Sequence, residues 1–534
     1  MERARRRRGR EPDGRGEDGQ VLVLFAVALA ALLMLGALLF SAAHGLVLRR
    51  QLQNTADAAA LAASNLLINE GGCSPAGSGG PPRSSVVTAA TSAVAANLGG
   101  ASVSVSVSCP TGYSNQAVRV VLTGASMSAF GNDGFATTAR ATAVNGQVSA
   151  PEYSVALLDP SNPAWGSQRN GCPSYLVNGG VTVTYEGSVM VNSTCTLSTS
   201  ANGALKAQNN SFQMNMVNGA TLRIGGEYSA NTAGKINPAP VQNARPLLPD
   251  PLSGLIRPCS SADSGSGCLG SSATLPARSA ANSGAGVCQG DNADPCILLP
   301  GTYTGGIHAG TGSNANTVLL RPGVYYLRGG GMSLKSGQAR ILAIPSAGTL
   351  SDTDARTRYD SSLTATQVGT NWQADCPPPP ASSTCGVLIY NAPGAGGSWV
   401  TSGGSSDNLT NGAQGVIQLR GYRPSSDALG NGTTFASYRN LVIWQARLPE
   451  PSPTVVQPVI GMSGGACSVL SGTVYAPGAK VDFGGSSCGS GGGNDPVATL
   501  QFIVWDLTLS GSNNFFFAYR ADSFATPTSY GLVE

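Results

Sequence analysis

Charge is what this chain has least of. Charged side chains make up 11% of its 534 residues, against roughly a quarter in an ordinary soluble domain. The first twenty residues hold seven arginines and five acids. They account for +2 of the +3 net charge, and the rest of the chain is nearly neutral. No basic stripe remains for a nucleic-acid partner. Histidine is scarcer still, with only His44 and His308, and no CxxC occurs. That excludes the usual zinc arrangements.

The scarcity also limits catalysis. GMSGG, Gly461 to Gly465, has the spacing of a nucleophile elbow, but no histidine follows His308 to complete a triad. Asp291 and Asp294, and Asp352, Asp354 and Asp360, form acidic clusters without the spacing of a calcium loop, so they read as solvated loop acids. His308 has no sequence partner and reads as a stacked or surface polar residue. Trp165, Trp372, Trp399, Trp444 and Trp505 are candidates for a glycan surface. Trp444 and Trp505, inside apolar strands, read as core. No catalytic, cofactor or metal set can be assembled, so no cofactor is expected.

Charge is absent altogether from Val21 to Leu48. About 20 apolar residues span a bilayer, and this run is too long for the core of a secretory signal. The arginine-rich tail, 1–20, is expected in the cytoplasm and the bulk of the chain outside. This predicts a single-pass membrane protein with the lipid bilayer as its first partner.

Cysteine supports an export-side location. All 12 lie beyond the apolar run. Taken in order they pair locally as Cys73–Cys109, Cys172–Cys195, Cys259–Cys268, Cys288–Cys296, Cys376–Cys385 and Cys467–Cys488. Other connectivities remain open from sequence alone, but disulfides suit an exported chain.

From Arg49 to Ile68 there is neither proline nor glycine, and the membrane helix is expected to continue as one rod. Leu48, Leu52, Ala56, Ala59 and Ala63 place a stripe of mostly small residues on one face, which permits close packing. A helix over Ser84–Leu98 and strands over Ser102–Ser108, Ala117–Thr123 and Phe135–Val144 complete a small α+β domain, 49–148. Short alternating strands separated by glycine then fill 151–236. A proline-rich linker, 237–258, leads into a second β-rich region, 259–534. There PGTY and PGVY recur at Pro300–Tyr303 and Pro322–Tyr325. Such patterns predict a solenoid or a sandwich.

DGQVLVLFAVALAALLMLGALLFSAAHGLVLRRQLQNTADAAALAAS resembles the N-terminal segment of TadG-like Flp pilus-assembly proteins, most specifically in ADAAALAA, Ala56 to Ala63. The resemblance implies an outward-facing envelope protein of pilus assembly, tight adherence or surface presentation, with other pilus-assembly or envelope proteins as partners. FSAAHG lacks the aspartate that members often carry near the outer end of the membrane helix. LLDPSNP, with Asp159, Ser161 and Pro163, departs from the metal motif of von Willebrand-type relatives. Neither Gly16 nor Gly19 is followed by the glutamate of a prepilin cleavage site. The C-terminal pattern resembles the right-handed parallel β-helix of bacterial surface proteins, with a flat sandwich as the alternative. That fold also hosts carbohydrate-active enzymes, which makes a membrane-tethered enzyme or glycan-binding protein the competing function.

Overall fold

The computed structural model describes residues 18–532. Excepted are 68–71, 99–102, 112–114, 126–135, 148–152, 161–171, 261–267, 270–273, 279–294, 311–315, 379–383, 402–405, 411–414, 448–456, 463–468, 485–496 and a few shorter breaks. The chain forms two compact units: Met1–Val148 with Thr528–Glu534, and Ser149–Pro527. In chain order the second unit is an insertion in the first.

In the first unit one helix, α1, runs unbroken over Asp18–Ser64, 47 residues. At 1.5 Å per residue it extends about 70 Å, against about 30 Å of bilayer hydrocarbon. It is long and apolar enough to cross a membrane. Its leucines from Leu22 to Leu46 are exposed in the protein. Beyond Leu48 the helix changes character. Leu52, Ala56, Ala59, Ala60 and Ala63 are fully buried, packed on α2 (Ser84–Leu98), β2 (Ala117–Ala125) and β3 (Ala136–Gln147).

The reason is side-chain size. β2 and β3 pair antiparallel with Val118 opposite Ala143, Val120 opposite Ala141 and Leu122 opposite Ala139. All six belong to the same core as the α1 alanines. Alanine on both helix and strand lets the two backbones approach closely. β1 (Ser104–Ser108) pairs antiparallel with β2. The fourth strand is the C-terminal Thr528–Leu532, antiparallel to β3. Nothing local in the sequence announces it, because its partner lies some 380 residues earlier.

Among the described residues of the second unit every pairing between strands is parallel, apart from one isolated antiparallel bridge at Gly203 and Tyr228, which disagrees with a flat antiparallel sandwich. One ladder climbs from Ala277–Arg278 through Gly301–Thr304, Gly323–Arg328, Gly386–Ala392 and Leu441–Gln445 to Val469–Gly484 and Leu500–Ser510. It then restarts at the beginning of the unit with Tyr153–Leu157, Ser188–Val191 and Leu222–Ile224. A second ladder joins Cys296–Leu298, Thr317–Leu320, Arg340–Ala343 and Val416–Gly421. A third runs from Ile307–Ala309 through Met332–Leu334, Leu409–Thr410 and Ile460–Met462 to Tyr175–Asn178 and Leu205–Ala207.

The two β regions that the sequence separated therefore share one sheet. Residues 237–258 carry prolines because they do not join a ladder strand for strand. They pack as a strap on the outside of the first ladder. Leu252 is buried there with Leu248 and Leu255 beside it, Tyr475 donates to Asp250 at 2.9 Å, and Tyr438 donates to the Ile256 carbonyl at 2.7 Å. The strap covers an aromatic column. Tyr326, Tyr390, Trp444 and Tyr475 occupy successive register positions, with ring centroids 4.8 to 5.8 Å apart.

Alternate residues of the same strands face inward. Val387 and Ile389 lie in the inner core, Leu388 and Tyr390 in the outer one. Glycine marks the corner between the first and third ladders. Gly306 and Gly330 have φ of +83° and +77°, and a Cβ at either would sit 2.2 Å from a carbonyl oxygen of the adjacent rung. The PGTY and PGVY repeats do not stack residue on residue, since Gly301 pairs with Tyr325.

Four of the expected disulfides are formed: Cys73–Cys109, Cys172–Cys195, Cys259–Cys268 and Cys376–Cys385, with Cα separations of 5.1 to 5.9 Å. Cys296 is also disulfide-bonded; Cys288, Cys467 and Cys488 lie outside the described residues.

Candidate functional site

Two surfaces hold functional interest: the length of α1, and a buried cluster of charge in the ladder unit. Along α1 the division is sharp. Its first half presents exposed leucine, valine and phenylalanine, uncovered among the described residues, and its second half is sealed under the small sheet. Gln53 Nε2 donates to the Arg140 carbonyl at 2.9 Å and to Asp57 at 2.8 Å, so polar contacts flank the alanine face. Phe40 and His44 stack one turn apart in the FSAAHG stretch.

This is the segment that a family model recognises. Residues 19–65 match the TadE/G-like Flp pilus-assembly family. The TadE/G-like match covers the naked half of α1 and its buried alanine stripe together, and ends where the helix ends. No curated protein and no solved structure matches the chain.

The residues that suggested chemistry are mostly dispersed. His308 is buried, Nδ1 2.7 Å from Ser333 Oγ and Nε2 3.0 Å from the Gly305 carbonyl. Nε2 therefore donates to that carbonyl, and the ring sits over its register partner Ser333. Asp352 pairs with the buried Arg321, Asp354 accepts from Ser351 at the start of α3 (Asp352–Arg358), and Asp360 accepts from the Ser362 amide. The bonds from Ser362 hold the Asp360 carboxyl below the usual range. These three acids serve separate local partners.

Trp372 is fully buried in α4 (Ala365–Asp375), its Nε1 donating to the Ala343 carbonyl at 2.7 Å beneath the Arg420 guanidinium. Burial pushes Arg420 down to about 10. Trp444 and Trp505 lie in the outer core, and Trp399 is half-buried. Trp165, Asp291, Asp294, Ser161, Pro163 and Ser463 lie outside the described residues, as do Gly464 and Gly465 of the elbow-like turn. Among the described residues no group of three or more metal-ligating side chains converges.

One cluster was not legible in the sequence. Asp159 and Asp506, 0% and 8% exposed, hydrogen-bond to one another. Lys480 is the register partner of Asp506 and pairs with Asp482 at 2.9 Å. The only sequence signal was a lone acid inside the apolar strand LQFIVWDLTL. Asp159 had drawn notice through a metal motif that it does not complete.

Proposed function

We propose that the chain is a membrane-anchored structural protein of Flp pilus assembly or tight adherence. The arginine-rich tail lies in the cytoplasm and the chain beyond Arg50 outside. The ladder unit is a parallel β-helix that serves as a surface body. The observation that carries this reading is the two-part helix. An unbroken α1 holds a lipid-length apolar half and an alanine half sealed by its own domain, over the residues that match the pilus-assembly family.

A helix buried at one end in a folded unit cannot slide through the bilayer, so membrane and domain are fixed to each other. Support for the β-helix comes from parallel ladders in which each strand pairs with one a full circuit away. The arginines before Val21 outnumber Arg49 and Arg50 after it, which supports the orientation.

The test is protease digestion of intact spheroplasts, followed by pulldown of the detergent-extracted chain. Residues beyond Arg50 should be cut and the N-terminal tail spared, and pilus-machine components should co-purify. A protected ladder unit would overturn the topology. Retrieval without any pilus component would overturn the assembly role.

A further inference from the structure

The ladder unit has a seam where its last long strand meets its first. Phe502, Ile503 and Val504 pair with Val155, Ala156 and Leu157. The register continues as Leu158 N donates to the Val504 carbonyl at 2.8 Å and Asp159 N to that of Trp505 at 3.3 Å. Asp159 thus lies one rung from Asp506, and Lys480 one rung away on the opposite side. Beyond Asp159 come Asn192 and Ser193, which do not titrate.

Both carboxyls are buried and hydrogen-bonded together. Two carboxylates cannot bond to each other, since neither has a donor. One proton must be present. The other oxygen of Asp506, Oδ1, has no hydrogen-bond partner among the described residues, so no further hydrogen bond stabilises a full charge there. The titratable groups facing Asp506 are Asp159, Lys480 and Asp482. Lys480 does not neutralise the pair by itself, because its ammonium is held by Asp482 at a half-exposed position.

We propose that the Asp159–Asp506 pair is a proton-held latch, which seats the rungs of residues 153–224 on the strand Leu500–Ser510 in acid and releases that seam locally as the surroundings become alkaline. This goes beyond the structural role proposed above and does not depend on it. The sign follows from linkage. Burial first, and then the neighbouring Asp159, push the Asp506 carboxyl well above its ordinary range. A carboxyl with a raised folded-state pKa contributes stability that is full below the unfolded value. That stability is lost as pH rises through the folded one.

The experiment is hydrogen exchange on the full chain in detergent, read at peptides covering 153–159 and 500–510 over a pH series. Rates are divided by intrinsic exchange. Between the ordinary carboxyl range of the opened seam and the raised value of the closed pair, seam protection should fall by up to about ten-fold per pH unit, the limit for one proton, and level off above it. In Asp506→Asn the amide still donates to Asp159 but does not titrate, and protection should become flat with pH. A wild-type seam indifferent to pH would overturn the proposal, as would a D506N seam that keeps the wild-type slope. Should D506N not fold, Lys480→Gln decides. Loss of the cation should move the midpoint to higher pH, and an unmoved midpoint overturns the latch.

Discussion

In the helix-and-sheet unit, strand β1 alternates exposed serine with half-buried valine. One face of its sheet is filled by a helix of alanines. In the ladder unit, Gly386–Ala392 and Leu441–Gln445 are buried at every position, because inner and outer cores take alternate residues of each strand. Both arrangements suit a chain poor in charge, but they store stability differently. The first depends on small side chains that allow backbones to approach. The second depends on large rings stacked in register, with a proline-rich strap to keep water off them. Volume errors should therefore act in opposite directions: the ladder unit should suffer from losing bulk, the helix-and-sheet unit from gaining it.

The largest effect is expected from Trp444→Ala. Trp444 is buried and lies 4.8 Å from the Tyr390 ring, 5.5 Å from Tyr438 and 5.8 Å from Tyr475. Its truncation opens a cavity in the middle of the column and should cost about 3–5 kcal/mol. Denaturant unfolding of the full chain in detergent should show the ladder transition moved and the helix-and-sheet transition in place. Movement of both together would erase the distinction between the units.

A smaller effect is expected from Ala59→Leu. Ala59 is fully buried in α1 against the sheet, and added methyl groups there should cost about 1–3 kcal/mol through overpacking. The control is Asn54→Leu, at an exposed position of the same helix. Gln53 would be a poor control, since its side chain holds the Arg140 carbonyl. Hydrogen exchange over residues 49–64 should rise for A59L and stay constant for N54L. Equal behaviour of the two would mean that the alanine stripe is only a helix former.

The helix-and-sheet unit was legible almost element by element. Helix propensity, the apolar run and the SVSVS alternation are local signals, and local partners satisfy them. The ladder strands were legible as strands, but their arrangement was not. Val504 pairs with Leu157 across 347 residues, and only the folded chain shows that the last rungs seat beneath the first. The strap was misread as a linker between domains because proline content shows where a chain leaves a sheet, not where it then packs. The Asp159–Asp506 pair escaped for the same reason. Each is an unremarkable acid until register brings them together.

The smallest expected effect concerns the helices of the ladder unit, which differ in kind from α1. α4 is an insertion between the strands Arg340–Ala343 and Gly386–Ala392 and supplies no rung of its own. A capping box starts it: Thr364 Oγ1 accepts from the Gln367 amide at 3.2 Å, and Gln367 Oε1 accepts from the Thr364 amide at 2.9 Å. Its far end is tied by Cys376–Cys385 and by Trp372 on the Ala343 carbonyl. Thr364→Ala removes one half of the box, a loss of about 1 kcal/mol. Because the disulfide and Trp372 still hold the C-terminal end, that loss should remain local. Exchange over Ala365–Asp375 should quicken about five-fold, the equivalent of that free energy, while Arg340–Ala343 keeps its protection. If the ladder strand loosened with the helix, α4 would be part of the frame rather than an attachment to it. The contrast with α1, whose burial the first unit cannot do without, would then disappear.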